Sequence, residues 1–344
     1  WPGGRGVRSN IGFIAALGVV AFASACDDGD DATPADAEVP APVAWAAAFD
    51  AEDQGAFLSV WGSGPDAIYT VGGQPEAGVA WRFDGAAWAR VTDLPDVPLI
   101  NWVHGVGDHV FMACNAGVVL HREGGGAWER WETGEDQPLW GIWAAAPDDV
   151  WAVGGDAARR DGADPLLLHY DGATWARAAL PDVDRPYKAL FKVWGTGPDD
   201  VHAVGQRGVA LRWDGAAWVQ ALTGTADDLI SLWGTGPADI VAVGGRSNGV
   251  LARWDGSTWS SEILVGEPGL NGVWVDATGT AWLVGDKGRV LRVPSGSFAA
   301  TREDSGTRTL LHGVWGTAAG HRVAAGGTLS ASPPWAGVVV EVGQ

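Results

Sequence analysis

Tryptophan returns along this chain with a period close to 40 residues, and that period constrains the fold more than any other feature. The first tryptophan of each unit falls at 61, 102, 143, 194, 233, 274 and 315, with gaps of 41, 41, 51, 39, 41 and 41. Each unit continues through a Gly-rich turn and a β-prone stretch ending at a Gly. A second such stretch usually ends in an aromatic and Asp-Gly, and a last Trp follows. Unit four reads KVWGTGPDD (192–200), VHAVG (201–205), VALRWDG (209–215) and AAW (216–218). Four short apolar runs in a 40-residue unit are the signature of a propeller blade. The expected fold is therefore all-β, a seven-bladed β-propeller with four-stranded blades, over residues 43–344.

The landmarks have separate physical reasons. Asp-Gly at 84–85, 171–172, 214–215 and 255–256 is expected to join third and fourth strands as a two-residue hairpin, with both residues at positive φ. Gly-Pro at 64–65, 197–198 and 236–237 suits the turn between first and second strands. The repeated tryptophans, with those at 45, 88, 128, 175, 218 and 259 on outer strands, are expected to fill the space between blades. Two units are irregular. The 51-residue gap carries an insertion at 156–165. Unit two reads Trp102-Val103 where the others place an apolar residue before Trp, which predicts either an exchange of the two residues or a turn one residue shorter.

The last unit ends after three strands, the third being GVVVEV at 337–342. Val43-Ala44-Trp45-Ala46 precedes the first complete unit. Residues 43–48 are therefore expected to complete blade seven as its outermost strand, which joins the termini and covers a sheet edge.

The first 42 residues differ. Arg5 and Arg8 precede an apolar run of 13 residues, Ile11 to Ala23, followed by Ser24, Ala25 and Cys26. The run is too short to span a membrane but suits a secretory leader. The pattern resembles a bacterial lipoprotein signal, which implies a leader over 1–25 and acylation of Cys26. It departs from that pattern in having Ala23 where Leu is usual. Residues 26–42, acidic and rich in Pro and Ala, read as a solvated tether. The expected location is the cell envelope, lipid-anchored outside the cytoplasm, with simple secretion as the alternative. The chain opens on Trp1 rather than Met, so further residues are expected upstream.

The run IVAVGG and RWDGSTW (240–245, 253–259) resembles a kelch repeat, and HYDGATW (169–175) resembles the Asp-box turn of sialidase-like propellers. The likeness covers about 43–344. Asp and Gly are adjacent here, however, and the Ser or Thr usual before the Asp is absent. Both families include enzymes and non-enzymes, so the likeness implies a fold and leaves the activity open.

With 22 basic and 42 acidic residues the net charge is −20, which argues against a nucleic-acid partner. Copper chemistry of the kelch-like kind would need paired Tyr and His ligands, and the chain has three tyrosines. Sialidase chemistry would need converging arginines, whereas Arg82, Arg212, Arg253 and Arg292 repeat one slot. Cys114 stands where other units have Gly and reads as a buried thiol. No catalytic set, cofactor or metal site is expected, and a monomer is expected.

Binding is expected on the loops that vary between units, because varied loops on a rigid frame carry recognition. Arg159, Arg160, Tyr187, Lys188 and Trp335 are candidates there, with Trp335 expected at the surface. Ser59, Asn101, Lys192, Ser231, Asn271 and His312 are expected where inner strands begin, at the channel mouth. Lys192 and His312 are the candidates there for a small polar ligand. The expected function is a non-catalytic platform for a protein or glycan partner. The alternative is a glycan-acting hydrolase or lyase at the channel mouth.

Overall fold

The structure, a computed structural model, describes residues 44–158 and 164–343. The leader, Cys26, the tether, and Arg159 and Arg160 lie outside the described residues. The described chain folds into seven four-stranded antiparallel sheets. In blade four the strands are Leu190–Gly197, Asp200–Gly205, Val209–Trp213 and Trp218–Leu222. Each first strand touches the first strand of the next blade, and that of blade seven, Leu311–Gly316, touches that of blade one, Ala56–Gly64. The ring is closed. Its last sheet takes Ala46–Ala47 as fourth strand, pairing Ala46 with Glu341 and Ala47 with Val340. The clasp is shorter than the expected 43–48, and the Ala48 amide adds one more bond to the Val339 carbonyl at 3.0 Å.

The Trp-Gly pair explains how neighbouring blades fit. The indole of one blade lies over the glycine after the tryptophan of the next. A Cβ on Gly62 would meet the Trp315 ring at 2.8 Å, one on Gly234 the Trp194 ring at 2.8 Å, and one on Gly316 the Trp274 ring at 2.8 Å. Blade six lacks this glycine and has Val275. Trp233, the tryptophan of the preceding blade, is only half-buried, as expected of a ring denied its seat.

Gly234→Ala should therefore cost about 2–3 kcal/mol, since the methyl group would also lie 2.5 Å from the Asp239 carbonyl oxygen and overpacked sites cost that much. Gly236→Ala, two residues on and with nothing within 4 Å, should change stability by less than about 0.5 kcal/mol. Denaturant midpoints of the two variants check this; equal shifts would refute the wedge.

Blade two corrects the expectation for its tryptophan. His104 pairs with Phe111 as Trp143 pairs with Trp151 and Trp194 with His202. His104 is thus the wedge, 5.7 Å from the Trp61 ring and 6.2 Å from the Trp143 ring. Burial drives its pKa down to about 3, so it packs as a neutral ring and its Nδ1 accepts the Ala144 amide at 3.3 Å. Trp102 sits two residues upstream, in a register the other blades use differently.

The turns also differ from expectation. The Asp-Gly loop is four residues long, because Phe83 pairs with Trp88. Only Gly85 takes positive φ, +96°. The Asp84 carboxylate accepts the Ala86 and Ala87 amides, both at 2.9 Å, and these bonds hold its pKa below the usual range. Asp171, Asp214 and Asp255 repeat the arrangement. Paired positive φ occurs on the other face, in the second-to-third loops of blades two, four and six: Ala116-Gly117, Arg207-Gly208 and Lys287-Gly288. Those loops share one backbone turn and differ in the side chain they present.

Candidate functional site

Every first strand begins with a register shift. In blade four it lies between Leu190 and Lys192, and in blade seven between Leu311 and Gly313. A bulge of this kind turns its extra residue out of the sheet. The bulged residues form a ring at the mouth of the channel, on the same face as the second-to-third loops and the links between blades. Blades three, four and five contribute Trp140, Phe191 and Ile230, which pack in one apolar cluster. Blades two, six and seven contribute Asn101, Asn271 and His312. Blade one contributes Leu58, between His312 and Asn101, so the mouth has one continuous apolar arc, over blades three to five, and a polar arc that Leu58 interrupts.

The next level down is the register of Lys192. At this level Ser59, Gly141, Ser231, Gly272 and Gly313 are small and let neighbouring inner strands approach closely, since a Cβ on Gly141 would meet the Lys192 Cα at 3.0 Å and one on Gly313 the Ser59 Cα at 3.0 Å. Trp102 and Lys192 are the two large side chains of the level. Lys192 belongs to blade four, yet its Nζ lies 4.1 Å from the Trp102 ring centre in blade two and donates to the Trp140 carbonyl in blade three at 2.7 Å. Blades two and four are not neighbours, so the Lys192 side chain passes the inner strand of blade three, which presents Gly141 at this level. The expected mouth positions thus belong to two levels: Asn101, Asn271 and His312 at the rim, Ser59, Lys192 and Ser231 beneath it.

Lys192 is 3% exposed, and no carboxylate pairs with it among the described residues. Burial lowers its pKa from 10.5 to about 7. His312 is half-buried, and burial, then the charges of Lys192 and Arg246, push its pKa down to about 3. Its Nδ1 is buried without a hydrogen-bond partner. Arg246, at the rim on the second-to-third loop of blade five, pairs with Asp228 at 2.8 Å and lies over the Phe191 ring at 5.5 Å. Arg246 was missed in the sequence because nothing in the repeat marks it; only the fold carries its loop to the mouth.

The other expected residues fall elsewhere. Tyr187 is half-buried and packs between blades, and burial raises its phenol to about 12. Lys188 is half-buried, and its backbone amide binds the Gln206 side chain at 2.8 Å. Trp335 is half-buried. Its amide and carbonyl both bond the Gln74 side chain at 2.8 Å, and its indole donates to Ala331. It fastens the blade seven loop to blade one. Of the repeated arginines, Arg212 binds Asp200 while Arg253 binds the carbonyls of Ser297 and Pro294 in blade six. Cys114 is fully buried, and burial drives its pKa upward.

One pair was not anticipated. His109 and His121, in adjacent strands of blade two, face each other at 3.0 Å, with Glu129 3.4 Å from His121. No three-ligand metal cluster occurs among the described residues.

No protein-family model matches the chain, and no curated protein matches it. Solved structures share the fold. A structure of YCF48 bound to D1 peptide is 13% identical, covering 87% of this chain and 96% of that one, with a TM-score of 0.61. A streptogramin B lyase is 11% identical, covering 86% and 96%, with a TM-score of 0.67. U3-55K is 11% identical, covering 88% and 98%, with a TM-score of 0.68. At such identities these are likenesses of fold.

Proposed function

We propose that the protein is a non-catalytic binding propeller that engages a protein partner through the face carrying the channel mouth and the second-to-third loops. One observation carries the reading. The Asp-Gly face repeats the same turn in blades one, three, four and five. The opposite face gathers a non-repeating set around the channel mouth, Trp140, Phe191, Lys192, Arg246 and His312, whereas the His109–His121 pair of blade two is the departure on the Asp-Gly side. A propeller of this fold is known bound to a peptide, which supports a protein partner. A glycan partner and a glycan-acting enzyme are the rival readings. The fold also serves a lyase, and turnover of a partner abolished by Lys192→Met would replace the binding reading with catalysis. The kelch and Asp-box likeness concerns how blades are built and favours no ligand.

The test is a photo-crosslinking residue placed at exposed Ser247 or Ser332 on one face and at exposed Ala216 or Ser257 on the other, in the native host. Discrete protein adducts from the first pair alone are expected. Equal adducts from both faces, or none from the first, would contradict the proposal.

We further propose attachment to a membrane through Cys26, on the strength of the leader pattern. Cys26→Ser should abolish metabolic fatty-acid labelling and release the protein from membranes. Labelling that persists in the variant would exclude this residue.

A further inference from the structure

We propose that the channel mouth is a binding site for a small organic monocarboxylate, with its carboxylate between Lys192 Nζ and His312 and its apolar body against Trp140, Phe191 and Ile230. The inference rests on the reading of this face as the binding surface and names the chemistry at its centre.

Three observations converge on it. A buried ammonium needs a counter-charge, and Lys192 has an aromatic face and one carbonyl instead. Of its three donors, one is bonded in the structure. His312 adds an unpartnered Nδ1 at the rim. A neutral ring has one N–H, and in the tautomer that carries it on Nδ1 it would donate to an incoming carboxylate at no charge cost. The positive field is local, since the molecule as a whole carries a net charge of −20, and Arg246, already paired with Asp228, stands at the entrance.

The geometry also selects the anion. A phosphate dianion is ordinarily held by several cations or a cradle of backbone N–H groups. Here one ammonium is within reach, and the unpartnered Ser231 hydroxyl at its level adds a neutral donor rather than a second charge. A single negative charge matches a single ammonium. The arc of Trp140, Phe191 and Ile230 then favours an aromatic or branched aliphatic acid over acetate.

The experiment is calorimetric titration with benzoate, read in parallel by tryptophan fluorescence, since Trp102 and Trp140 flank the site. Saturable binding in the range of about 0.1–1 mM is expected, as befits one ion pair and one ring. Benzamide, the neutral isostere, and benzylamine should bind at least about tenfold more weakly. Lys192→Met should lose the same factor. Arg246→Gln, at a residue whose side chain is 62% exposed and so safe for the fold, should weaken benzoate severalfold at low salt and less at high salt.

Absence of saturation by about 10 mM, equal affinity for benzamide, or unchanged affinity in Lys192→Met would each overturn the site. Inorganic phosphate binding in place of benzoate would overturn it too. Failure here with face-specific crosslinking intact removes the ligand class alone. Crosslinking from both faces removes the underlying reading.

Discussion

Replacing Trp45 and Phe49 together with alanine should cost the protein on the order of 5 kcal/mol, much of the stability of an ordinary domain. The clasp has two strand residues, Ala46 and Ala47, so its hold depends on the rings at either side. Trp45 is 6% exposed and its indole donates to Glu303 in blade six at 3.0 Å. Phe49 stacks on Trp81 at 4.2 Å and meets Phe57 edge-on at 5.8 Å, both in blade one. The segment thus joins the last blades to the first. A buried Trp→Ala costs roughly 3–5 kcal/mol, and the half-buried Phe adds about 1–2. Without the clasp, the edge of Gly337–Val342 would also be open to pairing with other chains. Equilibrium unfolding measures the loss. A deletion of residues 43–50 that melts at the same temperature, or a double variant within about 1 kcal/mol of the native protein, would show that the ring does not depend on its N-terminal strand.

The second large effect has the opposite sign. Lys192→Met should stabilise the protein at neutral pH by about 2 kcal/mol. Lowering the amine from 10.5 to about 7 corresponds to about 4–5 kcal/mol of lost stability, and the hydrogen bond to the Trp140 carbonyl, which methionine cannot make, offsets about 2 of it. Methionine keeps the length and apolar stem and removes the charge. The pH dependence follows. Below pH 7 both folded and unfolded chains hold the Lys192 proton, so this group gives no slope. Between about 7 and 10.5 the unfolded chain binds one proton more, and stability rises with pH. The other charged or titratable groups at this end of the channel are His312, Arg246, paired with Asp228, and Asp286, which accepts from Asn271 at 3.4 Å. The native-minus-variant difference isolates Lys192 from the rest of the acidic surface. A variant less stable than the native protein at pH 7, with no slope in the difference, would contradict this account.

Much of the ring was legible because repetition amplifies weak signals. Seven tryptophans at one spacing fix blade number, and the unit that ends without a fourth strand points to its partner at Trp45. Blade two misled because Trp102 lies 41 residues from both neighbouring tryptophans, so spacing alone favoured it over His104. The Asp-Gly turns misled because a side chain can do a backbone's work: Asp84 caps two amides and lengthens the loop to four residues. The site was half legible. Lys192 and His312 stand out as polar residues in apolar strands. Their level in the channel depends on the bulge that opens every first strand, and a one-residue bulge leaves no mark in an apolar run. Trp335 looked free because it broke the pattern, yet a residue outside a repeat is as able to fasten a loop as to offer one.

The most direct measurement is the titration of the lysine side chains by NMR in protein carrying 13C-labelled lysine. The sequence has three lysines, at 188, 192 and 287, so Lys192→Met assigns the signal. A midpoint near 7, moving upward when benzoate is added, is the predicted result for an ammonium held in the channel without a counter-charge. A midpoint near 10 that benzoate does not move would mean that solvent or a carboxylate of the chain itself already neutralises Lys192, and the centre of the binding face would not be what is described.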